Sequence, residues 1–371
     1  MKLLGGSVLL YGLTAAVLGQ APAASSWRFA VSGDSRNCGD VVMPSIAAKA
    51  RADKAEFYWH LGDYRALYDF DQDMLAAHHG KLGVMDYTNG AWQDFIDQQL
   101  APFDNTPVFL AIGNHELVGK SRPDLLVQFA DWFDAAPIRA QRLHDDPADH
   151  ALHGYYHWRV RNVDFITLDN ASPEQFDHGQ IVWFEKVLKQ AEADPAIRTV
   201  VVGMHDALPD SLSAGHSMNE SPAGTESGRR VYGDLVTFRK RSGKEVEVLA
   251  SHSHFVLSEP YRTACRAAED VLPGWIVGTA GAVRYRLPAQ HAGSEVARTD
   301  VYGYLLATVS PEGHVSFHFN EVTEADVAAP VRARYGAPLV RQCFAENRNP
   351  YTPEGPVCPT NPALPSSRAP K

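Results

Sequence analysis

The sequence predicts an α/β sandwich, because short apolar strands alternate with helical stretches along most of the chain. The chain has 371 residues, of which 45% are hydrophobic, and this is enough apolar material for a large core. Five of the strands end in glycine or another small residue, shortly followed by a carboxylate, amide or imidazole side chain. The fold class and the position of these polar side chains therefore have to be considered together.

The predicted elements are taken here in chain order. Strands are predicted at Trp27–Ser32, Glu56–Leu61, Pro107–Ile112, Tyr155–Val160, Val163–Leu168, Thr199–Val202 and Val246–Ala250. Met43–Lys54 is alanine-rich with helical spacing, and His178–Ala193 has apolar residues at the spacing of one buried helix face. Ala207–Gly228 is rich in Ser, Gly, Pro and Asn, which predicts a mobile loop near the site. His216 in this loop is expected to be solvated or structural, and contact with a substrate is the alternative.

The two ends of the chain differ in composition from the middle. Lys2, the apolar stretch Leu3–Leu18 and the small residues Ala21-Pro22-Ala23 predict a signal peptide over 1–23. A membrane anchor is the alternative, but the apolar stretch is short and interrupted by glycine. We expect one main domain over 24–330, no membrane span in the mature chain, and a secreted or periplasmic location. Residues 331–371, rich in Pro, Arg and Asn, are predicted to be an irregular tail.

An exported chain with an even number of cysteines is expected to form disulfides. The four cysteines are Cys38, Cys265, Cys343 and Cys358. The short separation of Cys343 from Cys358 predicts that these two pair, which leaves Cys38 for Cys265. Free buried thiols are the alternative.

The charge distribution argues against a nucleic-acid partner. The formal net charge is −10, and no long run of Lys or Arg occurs. Binding to many backbone phosphates needs clustered positive charge, so no nucleic-acid-binding signature is present.

The polar side chains after the strands suggest a metal site. They are Asp34, Asp63, Asn114 with His115, His205, and His252 with His254. One such residue would be explained as a helix cap. Five strand ends in succession, the last followed by His-x-His, place their side chains at one rim of the sheets, where an α/β fold builds its site.

These motifs resemble the calcineurin-like metallophosphoesterase superfamily, and within it the purple acid phosphatase branch. The matching motifs are Gly33-Asp34, Gly62-Asp63, Gly113-Asn114-His115-Glu116, Gly203-Met204-His205 and His252-Ser253-His254. The resemblance extends from about Arg28 to about Asn320. It implies a four-layer αββα sandwich, in which two mixed sheets are flanked by helices.

The resemblance also implies the roles of the site residues. Asp34, Asp63 and His254 would hold a first metal, and a second would be shared by the residues Asp63, Asn114, His205 and His252. This donor set suits Mn, Fe or Zn better than Mg. Two ions about 3.5–4 Å apart would activate a hydroxide that attacks phosphorus. His115 would act as general acid or charge stabiliser at the leaving group, and Glu116 would hold its loop.

The sequence departs from the superfamily pattern at the first metal. The usual Asp-x-His is here Asp34-Ser35-Arg36, and Ala66 stands where the purple acid phosphatases have tyrosine. Tyr64, Tyr68 or water can fill the gap, or the first site is weak or empty. Arginine stays protonated and is not a ligand, so Arg36 is expected to contact the substrate phosphate or to form a structural salt bridge.

The leading functional prediction is an exported, metal-dependent hydrolase acting on a phosphorylated small molecule, a monoester first. A phosphodiesterase or nucleotidase of the same fold is the alternative. Because Arg36 stands where a ligand is expected, a non-catalytic phosphate- or nucleotide-binding protein with a degenerate first site is a further alternative.

Overall fold

The protein is described here by a computed structural model that covers residues 25–345, 349 and 351–354. Its strands are β1 (Trp27–Ser32), β2 (Tyr58–His60), β3 (Val108–Leu110), β4 (Tyr156–Val160), β5 (Val163–Thr167), β6 (Thr199–Gly203), β7 (Glu245–Ala250), β8 (Val256–Ser258), β9 (Gly274–Val277), β10 (Ala297–Arg298), β11 (Tyr302–Val309) and β12 (Val315–Val322). Its α-helices are α1 (Gly39–Ala52), α2 (Gln72–Ala77), α3 (Val84–Phe95), α4 (Arg122–Gln128), α5 (Ala130–Phe133), α6 (Ala136–Asp145), α7 (His178–Ala193), α8 (Pro222–Ser242) and α9 (Ala329–Phe344).

The strands form two mixed sheets. One has the order β12-β11-β1-β2-β3, and the other has the order β10-β8-β9-β7-β6-β5-β4. In the first sheet β1, β2 and β3 are parallel, while β11 runs antiparallel to β1 and β12. In the second, β5, β6, β7 and β9 are parallel, and β4 and β8 are antiparallel to their neighbours.

The two sheets pack face to face through aromatic side chains. The ring of Phe29 on β1 lies 5.1 Å from that of Phe165 on β5, and Trp59 lies 5.1 Å from Trp158. α1 and α9 cover the outer face of the first sheet, and α7 and α8 cover that of the second. The predicted four-layer αββα sandwich is confirmed.

The carboxyl ends of the parallel strands of both sheets meet at one place. The N–H of Asp34, after β1, donates to the carbonyl of Gly62, after β2, at 2.9 Å. From the other sheet, the Ser251 hydroxyl after β7 donates to the carbonyl of Leu61 at 2.8 Å. The loops that follow these strands are therefore tied together by hydrogen bonds before any ligand is considered.

The C-terminal region differs from the prediction. The irregular tail was predicted from residue 331, and this is wrong for its first part, because Ala329–Phe344 forms α9. Tyr335, Leu339 and Val340 of this helix are buried against α1 and the first sheet, and this packing outweighs the unfavourable composition. Residues 355–371 of the predicted tail lie outside the described part of the chain.

The predicted cysteine pairs are also wrong. Cys38 is bonded to Cys343, which excludes both Cys343–Cys358 and Cys38–Cys265. α9 packs on α1 and so brings Cys343 to Cys38 across 305 residues of sequence, a proximity that spacing in the sequence cannot reveal. Cys358 lies outside the described residues.

Two further predictions concern the loop at 207–228 and the N-terminal segment 1–23. The predicted loop 207–228 is shorter than expected, because α8 begins at Pro222, with the Ser221 hydroxyl accepting the N–H of Gly224 as an N-cap. The predicted signal peptide, 1–23, lies outside the described residues. Within the described ranges, no helix has the length and apolar character needed to span a membrane.

Candidate metal centre

Four of the predicted ligands converge where the two sheets meet. Asp34, Asp63, His205 and His252 are buried, and each offers one ligand atom within 4.8 Å of the others. They follow β1, β2, β6 and β7 respectively. The parallel strands thus bring together carboxylates and imidazoles that are far apart in sequence.

The other two predicted ligands lie at the edge of this cluster. Asn114 Oδ1 is 3.1 Å from His205 Nε2, and His254 Nε2 is 3.3 Å from Asp34 Oδ1. The structure therefore gathers every residue that the sequence assigned as a metal ligand by motif.

Three of these residues have left-handed backbone conformations. The φ angles are 60° at Asp34, 62° at Asp63 and 62° at His252. Such conformations cost on the order of 1–3 kcal/mol each and concentrate at functional sites. The turn after each of these strands is thus held in a conformation that directs the side chain into the cluster.

The donor atoms fit a cation. Asp34 Oδ1, Asp63 Oδ2 and His252 Nδ1 are buried and have no hydrogen-bond partner among the described residues. Lone pairs buried without a donor are costly, and a cation bound by them removes that cost. This observation supports a metal site independently of any motif.

The carboxylates around His205 also favour a positive charge at this site. His205 Nδ1 is 2.9 Å from the carbonyl of Leu61, so its Nε2 is directed at Asn114 Oδ1 and, at 3.3 Å, at Asp63 Oδ1. Burial alone would lower the pKa of His205, but the carboxylates of Asp63, Asp34 and Asp206 raise it to about 9. The cluster therefore favours a positive charge at His205 Nε2.

His252 is oriented by a neighbouring carboxylate. Its Nε2 lies 3.4 Å from Asp206 Oδ1, while its Nδ1 is buried and has no hydrogen-bond partner among the described residues. A carboxylate partner of this kind fixes the orientation of a ligating imidazole.

The loop after β3 is organised by Glu116. Its carboxylate accepts the backbone N–H groups of Asp63, Tyr64 and Gly113 at 2.7–2.8 Å. The N–H of His115 donates to Asp63 Oδ1 at 3.1 Å. Glu116 therefore joins the turn after β2 to the turn after β3, which keeps Asp63 and Asn114 together.

His115 points its Nε2 towards the cluster. Its Nδ1 is 2.5 Å from the carbonyl of Ala66, and its Nε2 is 2.7 Å from the Tyr68 hydroxyl and 3.6 Å from Asp63 Oδ2. Burial lowers the pKa of His115, so the ring is neutral near pH 7 and its Nε2 accepts a hydrogen bond from the Tyr68 hydroxyl.

Of the two tyrosines considered as extra ligands, one does not reach the site. Tyr64 is buried in the core, where its hydroxyl donates to the carbonyl of Ala111 and its ring stacks on Phe95 at 4.5 Å. The bulky ring is drawn into the apolar layer between the sheets. Tyr68 lies at the site, but its hydroxyl pairs with His115.

Arg36 forms the salt bridge that was one of its two predicted roles. Its Nε is 3.5 Å from Asp63 Oδ2, and its Nη2 is 3.1 Å from His254 Nε2. Burial would lower the pKa of Arg36, but nearby groups, led by the Asp63 carboxylate, raise it above its usual range. The guanidinium is therefore a permanent buried cation within the cluster.

Three aromatic rings lie beside the site, and only His216 among them was considered in the sequence analysis. His216 stacks on His252 at 4.6 Å, and Tyr285 stacks on His254 at 4.0 Å. Tyr351 links them, because its ring lies 4.7 Å from Tyr285 and its hydroxyl lies 2.9 Å from His216 Nδ1. Tyr285 and Tyr351 come from loops without a recognisable motif, so neither residue could be predicted from the sequence.

Comparison with known proteins defines the class to which this fold and site belong. The family model described as calcineurin-like phosphoesterase matches residues 37–255, more than half of the chain. The chain belongs to this family, as its motifs predicted. The matched stretch begins just after Asp34 and Arg36, the part of the site where the sequence departs from the family pattern.

Solved structures show the same fold at low sequence identity. A purple acid phosphatase from yellow lupin, PPD1, superposes with a TM-score of 0.55 at 16% identity over 81% of this chain and 52% of its own. PhoD gives a TM-score of 0.50 at 15% identity over 82% of this chain and 73% of its own. A dimetal phosphatase from Danio rerio gives 0.50 at 12% identity over 79% and 99%.

The chain spans about half the length of the lupin purple acid phosphatase that it matches. None of the curated proteins compared with the chain matches it in sequence. At these identities the solved structures support the fold, and the activity has to be argued from the site itself.

Proposed function

We propose that the chain is an exported, metal-dependent hydrolase that cleaves phosphate monoesters. The observation that carries this proposal is the convergence of buried, unpaired carboxylate and imidazole lone pairs of Asp34, Asp63 and His252 at one place. The disulfide between Cys38 and Cys343 supports export, because such bonds persist in oxidising compartments.

The residues that would hold the metal are Asp34, Asp63, His205 and His252, whose ligand atoms lie within 4.8 Å of one another, together with Asn114, whose Oδ1 is 3.1 Å from His205 Nε2. When bound, a metal ion supplies Lewis-acid polarisation of the phosphoryl oxygen and makes hydroxide available at neutral pH. The imidazole-rich set favours Mn, Fe or Zn.

His115 would serve the leaving group. Its Nε2 faces the cluster, while its Nδ1 is fixed on the Ala66 carbonyl, so the ring cannot turn away from the site. The negative charge of a bound phosphate monoester would favour protonation of Nε2. The protonated ring could then donate to the leaving oxygen, which is the role of a general acid.

The aromatic rings beside the site favour a monoester over a diester. His216, Tyr285 and Tyr351 pack against one another, and two of them stack on His252 and His254, so they occupy space next to the predicted ligands. A monoester has one substituent and needs an opening on one side, whereas a diester needs room on two. A phosphodiesterase or nucleotidase activity is the alternative that the same experiment tests.

The test compares turnover of para-nitrophenyl phosphate with that of its bis ester by metal-loaded protein. We expect preference for the monoester, and we expect His115→Ala to reduce turnover about 10²–10⁴-fold while metal content stays unchanged. His150→Ala, at an exposed histidine away from the site, is the matched control and should behave as wild type.

Three results would contradict the proposal. Negligible turnover of both esters by protein with verified metal would remove the hydrolase assignment. Faster turnover of the bis ester would favour the diesterase. Full activity of His115→Ala would remove His115 from the mechanism.

A further inference from the structure

We propose that the Arg36 guanidinium takes the place of one of the two metal ions expected for this site, so that the protein works with a single ion beside a fixed organic cation. This inference rests on the proposed metal-dependent activity and changes the composition of its centre. It follows from the contacts that the guanidinium already makes with the atoms expected to bind the first metal.

The first step is the state of His254. Its Nδ1 lies 2.5 Å from the backbone carbonyl of Val283, and a carbonyl can only accept, so Nδ1 carries the proton. The lone pair of the neutral ring is therefore on Nε2. That lone pair is 3.1 Å from Nη2 of Arg36, whose N–H groups can only donate, and 3.3 Å from Asp34 Oδ1, which can only accept, so the arginine is its partner.

The second step is that the Arg36 guanidinium and a metal ion would compete for the same ligand atoms. One lone pair cannot accept the N–H of Arg36 and bind a metal at the same time. Asp63 also faces the guanidinium, because its Oδ2 lies 3.5 Å from Arg36 Nε, which is an ion-pair distance and not a hydrogen bond. Two of the three residues that the family resemblance assigns to the first metal thus already face the guanidinium.

The third step is that Arg36 is held in place. Its side chain is 11% exposed. The backbone before it is tied by Ser35, whose N–H donates to the Asp63 carbonyl at 2.9 Å. After it, Asn37 accepts the N–H of Val283 at 3.2 Å, and Cys38 is bonded to Cys343. The loop is anchored on both sides of the arginine.

The fourth step concerns His254 and its neighbour. The ring of Tyr285 stacks on His254 at 4.0 Å, and the N–H of Tyr285 donates to the His254 carbonyl at 3.2 Å. The imidazole is therefore covered on one face and fixed at Nδ1. It cannot readily rotate to offer its Nε2 to an ion elsewhere.

The remaining donors are enough for one ion. Asn114 Oδ1 and Asp63 Oδ1 lie 3.1 Å and 3.3 Å from His205 Nε2, and His252 Nδ1 is unpaired. Guanidinium has five N–H donors in a planar fork. Those not used on Asp63 and His254 can bind a phosphoryl oxygen, so the substrate would be held between the ion and Arg36.

Metal content tests this inference without reference to turnover. Protein loaded with Mn²⁺ and freed of excess ion should contain about one equivalent per chain by mass spectrometry, with the electron paramagnetic resonance spectrum of an isolated ion. Arg36→His recreates Asp-x-His and removes the fixed cation. It should bind about two equivalents and show spin coupling between them.

Arg139→His is the matched control, since Arg139 lies on the exposed face of α6 and pairs with Asp134. It should keep one equivalent. If Arg36→His does not fold, as judged by circular dichroism, Arg36→Ala replaces it and should exceed one equivalent at saturating Mn²⁺.

The outcomes separate this inference from the proposed function. Two coupled ions in the wild type would overturn the inference and leave the metal-dependent hydrolase standing. One equivalent in a folded Arg36 variant would show that the guanidinium is not what excludes the second ion. No ion and no turnover in the wild type would remove the proposed function itself.

Discussion

At the scale of single residues, His157 on β4 is a buried cation outside the candidate metal centre. Its Nδ1 lies 2.8 Å from Asp164 Oδ1, and its Nε2 lies 2.5 Å from Asp145 Oδ2. Both nitrogens face carboxylate oxygens, so both must carry protons for the contacts to be hydrogen bonds. Burial would lower the pKa of His157, but these two carboxylates raise it to about 9.

This raised pKa predicts that stability falls on the alkaline side. A group whose pKa is higher in the folded protein stabilises it fully below the unfolded value of about 6.5 and loses that contribution as pH rises through about 9. We expect a loss on the order of 3 kcal/mol in the free energy of unfolding across this interval. Urea denaturation at a series of pH values measures it.

The control for this prediction is His157→Gln, which keeps a polar side chain without the titration. Its stability should be lower near neutrality and should depend less on pH over the same interval. If both proteins lose the same free energy between these pH values, the alkaline loss does not come from His157.

The residues of the candidate site were predictable to different degrees. Asp34, Asp63 and His252 follow apolar strands in motifs, so the order of the chain was enough to select them. Tyr64 was not, because the choice between the site and the core depends on packing against Phe95. The contact of Arg36 with His254 joins residues 218 apart, which no local pattern encodes.

At the scale of elements, the site depends on turns that approach each other closely. Gly113, after β3, is such a position. A Cβ atom built on it would lie 2.3 Å from Asp63 Oδ1 and 2.5 Å from the Asp63 backbone nitrogen. Real atoms do not come this close, so any side chain there must displace the turn that carries Asp63.

Gly113→Ala is therefore expected to weaken metal retention and to destabilise the fold by about 1–3 kcal/mol, the usual cost of overpacking. The cause is displacement of the Asp63 turn. Dialysis against a weak chelator followed by metal analysis measures the first effect, and chemical denaturation measures the second.

Gly90→Ala is the matched control for this substitution. Gly90 lies in α3, and the space around its added Cβ is open. Alanine there should leave metal content unchanged and can stabilise the helix by up to about 1 kcal/mol. Equal metal retention by the Gly113 and Gly90 variants would show that the close approach at Gly113 is not needed.

The elements themselves were predictable where local pattern and packing agree. β1 and α7 have the predicted bounds, because each has an uninterrupted apolar run or face. α9 was not predicted, since the Pro-, Arg- and Asn-rich composition after residue 330 indicated an irregular tail. The helix contains Pro330, Gly336 and Pro338, which disfavour helix in an isolated segment. Pro330 is tolerated in the first turn, and Gly336, at φ 78°, interrupts the helix before Pro338. Burial against α1 then makes the segment helical.

At the scale of the whole molecule, the candidate site exists only when both sheets are complete. Asp34 and Asp63 come from one sheet, and His205 and His252 from the other. The first sheet in turn needs β11, which pairs with β1 across most of the chain length. The alternation of strands and helices predicted the fold class, but such distant pairing follows from global packing.

The Cys38–Cys343 bond joins the end of the described chain to this arrangement. It connects α9 to the residue before α1, two positions after Arg36, and spans 305 residues of sequence. A cross-link over so long a segment restricts the unfolded chain, and removal of such a bond costs about 2–4 kcal/mol. We therefore expect the double substitution Cys38→Ala, Cys343→Ala to lower the free energy of unfolding by that amount.

Denaturation without reductant compares the double variant with the wild type, and peptide mapping under the same conditions identifies the bonded pair. Treatment of the wild type with reductant serves as the control and should reproduce at least the loss seen in the variant, because it cleaves the same bond. A mapped Cys343–Cys358 peptide would restore the pairing inferred from sequence spacing. It would also free α9 from α1, and the anchoring of the Arg36 loop would then depend on its hydrogen bonds alone.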